Sequence, residues 1–156
     1  MNDLLTPTML KWNQVIMRHS MRRLILFAKQ NNHSLALLNT LFRLHYRGSC
    51  GVTDLGEEMG VSIAAASQLL DKMVQQGLAD RTEDPSDRRN KHIRLTDAGQ
   101  ELAQQALEAR QGWMQPLVDE LNPAQQIQVE NALRLLIEKS IILDQPMAET
   151  THKGTL

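Results

Sequence analysis

The sequence predicts a mainly α fold with one small β-hairpin. Of its 156 residues 42% are hydrophobic but only 3% aromatic, so the core has to be built from Leu, Ile, Met, Val and Ala, which favours packed helices over a β-sandwich. Apolar residues recur at helical spacing through most of the chain, and capping residues, glycines and prolines punctuate the repeats. Alternation typical of strands is confined to two short runs on either side of a turn-rich stretch, Asp84 to Asn90.

From Pro7 to about Gln30, Met9, Trp12, Ile16, Leu24 and Phe27 are interleaved with basic residues, the pattern of an amphipathic first helix. Asn31, Asn32 and His33 break it. Ser34 then caps a second helix with Leu35, Leu38, Leu41, Phe42 and His45 on one side, ended by Gly48 and Gly51. Thr53 is expected to cap a short third helix, with Asp54 in its first turn and Gly60 as a left-handed stop. Ser62 at once caps a fourth, which directs Ala66, Leu69, Leu70 and Met73 inward and leaves Ala64, Ala65, Ser67, Gln68, Asp71 and Lys72 on the remaining surface, until Gly77 ends it.

The two strands run from Leu78 to Glu83 and from Lys91 to Leu95, with Ile93 and Leu95 on one face and His92 and Arg94 on the other. Between them, Asp84-Pro85-Ser86-Asp87-Arg88-Arg89-Asn90 is a turn that carries exposed guanidinium groups. Thr96 caps a fifth helix that reaches Trp113 through Leu102, Ala106 and Ala109 and is expected to bend at Gly112 and Pro116. Asn122-Pro123 opens a last helix with Ile127, Leu133, Leu136, Ile137 and Ile141. Beyond Asp144 the periodicity stops, so a tail is expected over 145–156.

Charge is segregated along the chain although the formal total is only -1. Between Leu4 and Val52 stand Lys11, Arg18, Arg22, Arg23, Lys29, Arg43 and Arg47 with no acidic residue. From Thr96 to Asp144 carboxylates predominate, so asymmetry rather than net charge governs attraction to a polyanion. No apolar stretch reaches the length of a membrane span and no secretory leader is visible, so a cytoplasmic protein with no membrane partner is expected. One cysteine, Cys50, precludes an internal disulfide, and the scattered histidines lack metal-ligand spacing. With no phosphate loop and no nucleophile elbow, neither an enzyme, a metal nor a cofactor is expected.

A short helix, a glycine turn and a second helix with a small or polar outer face form a helix-turn-helix. Such a second helix fits the major groove and offers its N-terminal side chains to base edges. Gly56, inside the supporting helix, costs about 1 kcal/mol relative to alanine and points to close helix approach.

After that motif come Gly77-Leu78, Arg81, Asp84-Pro85-Ser86-Asp87-Arg88-Arg89 and Leu95-Thr96-Asp97-Ala98-Gly99. In this order they resemble the wing signature of the MarR family, the multiple-antibiotic-resistance regulators. The resemblance implies a homodimeric winged helix-turn-helix, a ligand-responsive repressor of a pseudo-palindromic operator on double-stranded DNA. It divides the chain into an N-terminal dimerisation helix (1–32), the winged domain (33–98), C-terminal dimerisation helices (99–144) and the tail.

By the same resemblance Ser62, Ala64, Ala65, Ser67, Gln68 and Lys72 would face the major groove. Arg88 or Arg89, steadied by Asp87 and flanked by Lys91, would enter the minor groove, whose negative potential attracts arginine. Many family members carry arginine where this chain has Gln68, which suits adenine rather than guanine. Family members often bind a small aromatic or phenolic effector between dimerising helices and winged domain, and Trp12, Arg22, Arg23, His45 and Trp113 are the candidates to line that crevice. Two other readings are a redox regulator acting through Cys50, near Arg43 and Arg47 in sequence, and a winged-helix module that binds protein instead of DNA.

Overall fold

The computed structural model describes residues 4–83 and 91–144. Helix α1 (Leu5–Gln30) leads through Asn31 and a left-handed Asn32 into α2 (Leu35–Arg47), where the Ser34 hydroxyl accepts the Leu37 N–H at 3.1 Å. Strand β1 (Ser49–Gly51) precedes the short α3 (Val52–Met59) and then α4 (Ile63–Gln75). The hairpin strands are β2 (Ala79–Glu83) and β3 (Lys91–Leu95), and α5 (Asp97–Gln111), α6 (Met114–Asp119) and α7 (Pro123–Ser140) follow, with a 3-10 turn over Ile141–Asp144 last among the described residues.

The sheet has three strands in the order β1-β3-β2, all antiparallel, where the sequence predicts two. Cys50 lies opposite Ile93 on one side of β3, and Arg81 lies opposite it on the other. A three-residue strand between Gly48 and Gly51 has too little alternation to be read from sequence. Its presence also moves the start of α3. Pairing with β3 keeps Gly51 extended (φ -72°, ψ 155°), so Gly51 takes the N-cap position and Thr53 falls inside the helix.

Helix α5 does not bend at Gly112 and Pro116, as the sequence predicts; it ends. Trp113 leaves the helix axis, is buried, and donates its indole N–H to Ser20 of α1 at 3.0 Å. Proline cannot continue the hydrogen-bond ladder from the preceding turn, so Pro116 falls in the first turn of a new helix, α6, where it costs little.

The chain divides into two compact units after Trp113. In the first, Leu38, Leu41 and Leu44 of α2, Leu55 of α3, Leu70 and Met73 of α4 and Ile93 of β3 are almost completely buried. Each such side chain contributes roughly 1.5–3 kcal/mol to stability. Helix α1 packs on α5 and α2, and brings Leu24 and Ala28 to the same core. In the second unit, α7 is opened by a reciprocal cap in which Gln125 N–H donates to Asn122 Oδ1 and Asn122 N–H to Gln125 Oε1, both at 3.0 Å. All side chains of α7 are exposed in the single chain, including Ile127, Leu135 and Ile137.

Candidate nucleic-acid interface

The turn between α3 and α4 fixes the aim of α4. Gly60 is left-handed (φ +64°), its N–H donates to Glu57 O at 3.1 Å and the Val61 N–H to Gly56 O at 3.0 Å, so the chain reverses immediately after α3. Ser62 then caps α4, its hydroxyl accepting the Ala65 N–H at 3.2 Å. Gly56 is buried opposite Ala66, but a Cβ placed there would stand 3.5 Å from the nearest atoms, an ordinary contact. The helices are close without requiring glycine.

Ala66, Leu70 and Met73 lock α4 into the core and Leu69 packs beside them, half-buried. Ser62, Ala64, Ala65, Gln68 and Lys72 are exposed, and Ser67 is half-buried. The exposed patch at the start of α4 also includes Val61 and Ile63, which sequence reasoning passes over because apolar residues are assigned to cores by default.

Two ion-pair braces hold the motif. Arg81 of β2 pairs with Asp71 of α4, linking the hairpin strand to that helix. Glu58 of α3 takes both arginines of α2: Arg43 Nη1 donates to Oε2 at 2.7 Å, Arg43 Nη2 to the Glu58 carbonyl at 3.0 Å, and Arg47 pairs with Oε1. The partners stand too far apart in sequence to form any helical spacing, so no local signal discloses them. Arg43 and Arg47 are thereby drawn to Glu58 rather than standing free in the basic N-terminal segment.

Cys50 is buried on β1, and its thiol is pushed above the usual cysteine range. Burial is the main cause and the Glu58 carboxylate adds to it, while Arg47 and Arg43 oppose. The activation by Arg43 and Arg47 on which the alternative redox reading depends is outweighed by burial.

Of the residues expected to line an effector crevice, Trp12, Trp113 and Arg23 lie near one another, whereas His45 turns to α5. Trp12 meets Trp113 edge to face at 6.0 Å between ring centroids, and His19 stacks on the same indole at 5.2 Å. A guanidinium nitrogen of Arg23 lies 3.7 Å from the Cβ position of Gly112, and Arg22 is exposed on α1. His45 instead faces α5, its Nδ1 2.7 Å from Gln100 Oε1. Asp87, Arg88 and Arg89 lie outside the described residues; Lys91 opens β3, its backbone in register with Glu83 of β2. Among the described residues no three His, Cys, Asp or Glu side chains converge as a metal site, and no helix is long and apolar enough to cross a membrane.

Residues 34–91, spanning α2 to the start of β3, match the family model described as MarR family. This segment is similar to the MarR family. An uncharacterized HTH-type transcriptional regulator of Bacillus subtilis, YwhA, is 35% identical over 72 residues, which is 46% of this chain and 52% of YwhA. The chain therefore spans about half the length of this curated relative.

Solved structures extend the likeness in fold beyond residues 34–91. The Thermotoga maritima transcriptional regulator Tm0710 superposes with a TM-score of 0.76 at 16% identity, over 89% of this chain and 95% of that one. A single-residue variant of S. aureus MepR bound to an oligodeoxyribonucleotide superposes with a TM-score of 0.64 at 20% identity, over 83% and 95%. Both share the winged helix-turn-helix architecture.

Proposed function

We propose that this protein is a DNA-binding transcription regulator that reads a pseudo-palindromic operator as a homodimer and acts as a ligand-responsive repressor. The observation that carries the reading is the state of α4: capped by Ser62, locked by Leu70 and Met73, braced by Asp71–Arg81, and with Ala64, Ala65 and Gln68 left exposed at its N-terminal half. A helix held so rigidly with small and polar groups outward suits the major groove, where Gln68 pairs with adenine and the alanines and Ile63 meet thymine methyls. Arg88 or Arg89, between the two hairpin strands in sequence, supplies the minor-groove contact, and Lys72 and Lys91 contact phosphate. A small aromatic or phenolic effector would use the open edge of Trp12 with Arg22 and Arg23.

The test is a titration of wild type, Gln68→Ala and the Arg88→Ala/Arg89→Ala pair against a selected site and a scrambled duplex at several salt concentrations. Gln68→Ala is expected to cost about 1–3 kcal/mol on the selected site and much less on the scrambled one. The arginine pair should weaken both and flatten the log K against log salt slope by up to about two units per subunit. Equal losses on both duplexes for Gln68→Ala would remove the base-reading role of this face. A salt-independent affinity would favour the protein-binding alternative.

A further inference from the structure

The turn between α3 and α4 leaves two large apolar side chains in solvent, one on each side of the capping serine. Ile63, the first residue of α4, is 56% exposed, and Val61, just before the cap, is 40% exposed. Neither belongs to the hydrophobic core, where Leu70 and Met73 hold α4. A single exposed isoleucine is ordinary. These two, however, stand together in the patch that carries Ala64, Ala65 and Gln68, all of them exposed. Helical side chains lean toward the N-terminal end of their helix, so Ile63 overhangs the end of α4 that would enter the groove first.

The chemistry open to this patch is narrow. In the major groove guanine is gripped by arginine or lysine and cytosine by a carboxylate. Between Glu58 and Asp71 the chain has no charged residue. Those two flanking carboxylates are themselves engaged, Glu58 by Arg43 and Arg47 and Asp71 by Arg81. Lys72 stands nine residues beyond Ile63, about 14 Å along the helix axis. The Ser62 hydroxyl accepts the Ala65 N–H at 3.2 Å and so serves as a cap. What remains is one amide, Gln68, and hydrocarbon. The group in the major groove that hydrocarbon complements is the 5-methyl of thymine. We propose that Val61 and Ile63 are specificity determinants that read thymine methyls, so that α4 selects A·T pairs, an assignment that rests on the regulator reading above. The two residues are at most about 7 Å apart along the backbone, which matches two base steps of about 3.4 Å. The methyls they touch therefore lie within two steps of each other in each half-site.

Deoxyuridine differs from thymidine only in lacking that methyl, so a uracil scan isolates the contact. Thymines of a duplex selected by wild type are replaced one position at a time, in both half-sites together. Wild type should lose about fourfold for each methyl removed from contact, hence about fifteenfold for a symmetric pair. Ile63→Ala should bind the thymine duplex more weakly and lose the uracil sensitivity at one position, and Val61→Ala at the other. Ile63→Val, which trims a single carbon, should keep an intermediate sensitivity, and urea unfolding verifies the fold of all three. A wild type that prefers the selected duplex over a scrambled one, yet is indifferent to uracil throughout, overturns this inference and leaves the regulator reading standing. Uracil sensitivity that persists undiminished in Ile63→Ala and in Val61→Ala places methyl recognition on other residues and also overturns it. A wild type that selects no duplex over scrambled DNA overturns both.

Discussion

Two glycines with opposite demands show how much a single residue's surroundings decide. A Cβ at Gly99 would lie 1.9 Å from the Leu78 carbonyl oxygen, which also accepts the Thr96 N–H at 3.2 Å. Gly99→Ala must push α5 away from the strand and should cost at least ~2 kcal/mol. Gly56 has room for a methyl group and sits in a helix, so Gly56→Ala should stabilise by up to about 1 kcal/mol. Denaturant midpoints at equal m-value measure both, and a destabilised Gly56→Ala would show that α3 and α4 pack more tightly than 3.5 Å implies. Cys50 supplies a third expectation. Its thiol is held above the ordinary value of 9.0, so the neutral form is the one the fold favours. The associated stability is complete below that pH and is lost as pH rises through the elevated folded value. At neutral pH, alkylation of native Cys50 should be much slower than of the unfolded chain. Equal rates would revive the redox reading.

The elements were legible where their signals were local. Ser34, Ser62, Thr96 and Asn122 each cap the helix the sequence assigns to them, and Gly60 is the left-handed stop. What escaped depends on partners distant in sequence: β1 exists only by pairing with β3, and Trp113 ends α5 by reaching Ser20 of α1. The same holds for the candidate site. The outward face of α4 follows from helical periodicity, whereas Glu58 between Arg43 and Arg47, and Arg81 on Asp71, follow only from the assembled fold. These braces give a prediction at this scale. Arg43 and Glu58 side chains are 37% and 26% exposed, so solvent screens the pair and Glu58→Ala should cost only about 1 kcal/mol, more than a fully exposed pair but far less than a buried one. Glu130→Ala, which breaks the exposed pair with Arg134 on α7, should change stability by a few tenths of a kcal/mol. Urea unfolding of both variants checks the order, and a reversal would mean that Glu58 does not hold α3 to α2.

At the scale of the molecule, apolar surface remains that neither compact unit covers by itself. In the first, α1 exposes Leu5, Met9, Leu10, Met17 and Leu26; in the second, α7 exposes Ile127, Leu133, Leu135, Leu136 and Ile137, and Ile141 and Ile142 follow it. Isolated exposed leucines are ordinary, but a row of them along a helix leaves an uncovered face in each unit, of the kind expected of an association surface. The reciprocal Asn122–Gln125 cap is informative here, because it stabilises α7 at its start while nothing in its own unit buries its sides. A second copy of the chain is the partner proposed for these faces, giving an obligate interface larger and more apolar than a transient one. Such a dimer has a two-fold axis, so its two α4 helices would present identical faces in inverted orientation. Inverted half-sites with centres about 10 base pairs, or ~34 Å, apart are then required for both helices to enter major grooves on one side of the duplex. Light scattering should give twice 17.7 kDa at micromolar concentration. Ile137→Asp, placed on the exposed side of α7, should shift the protein toward the monomer and lower operator affinity, because each monomer then binds a half-site alone. A duplex series with the half-sites separated by 5 additional base pairs, about half a turn, should lose the same advantage in wild type. A monomer in wild-type scattering, or indifference to half-site spacing, would sink the two-fold arrangement and leave α4 reading DNA, if at all, as a single helix.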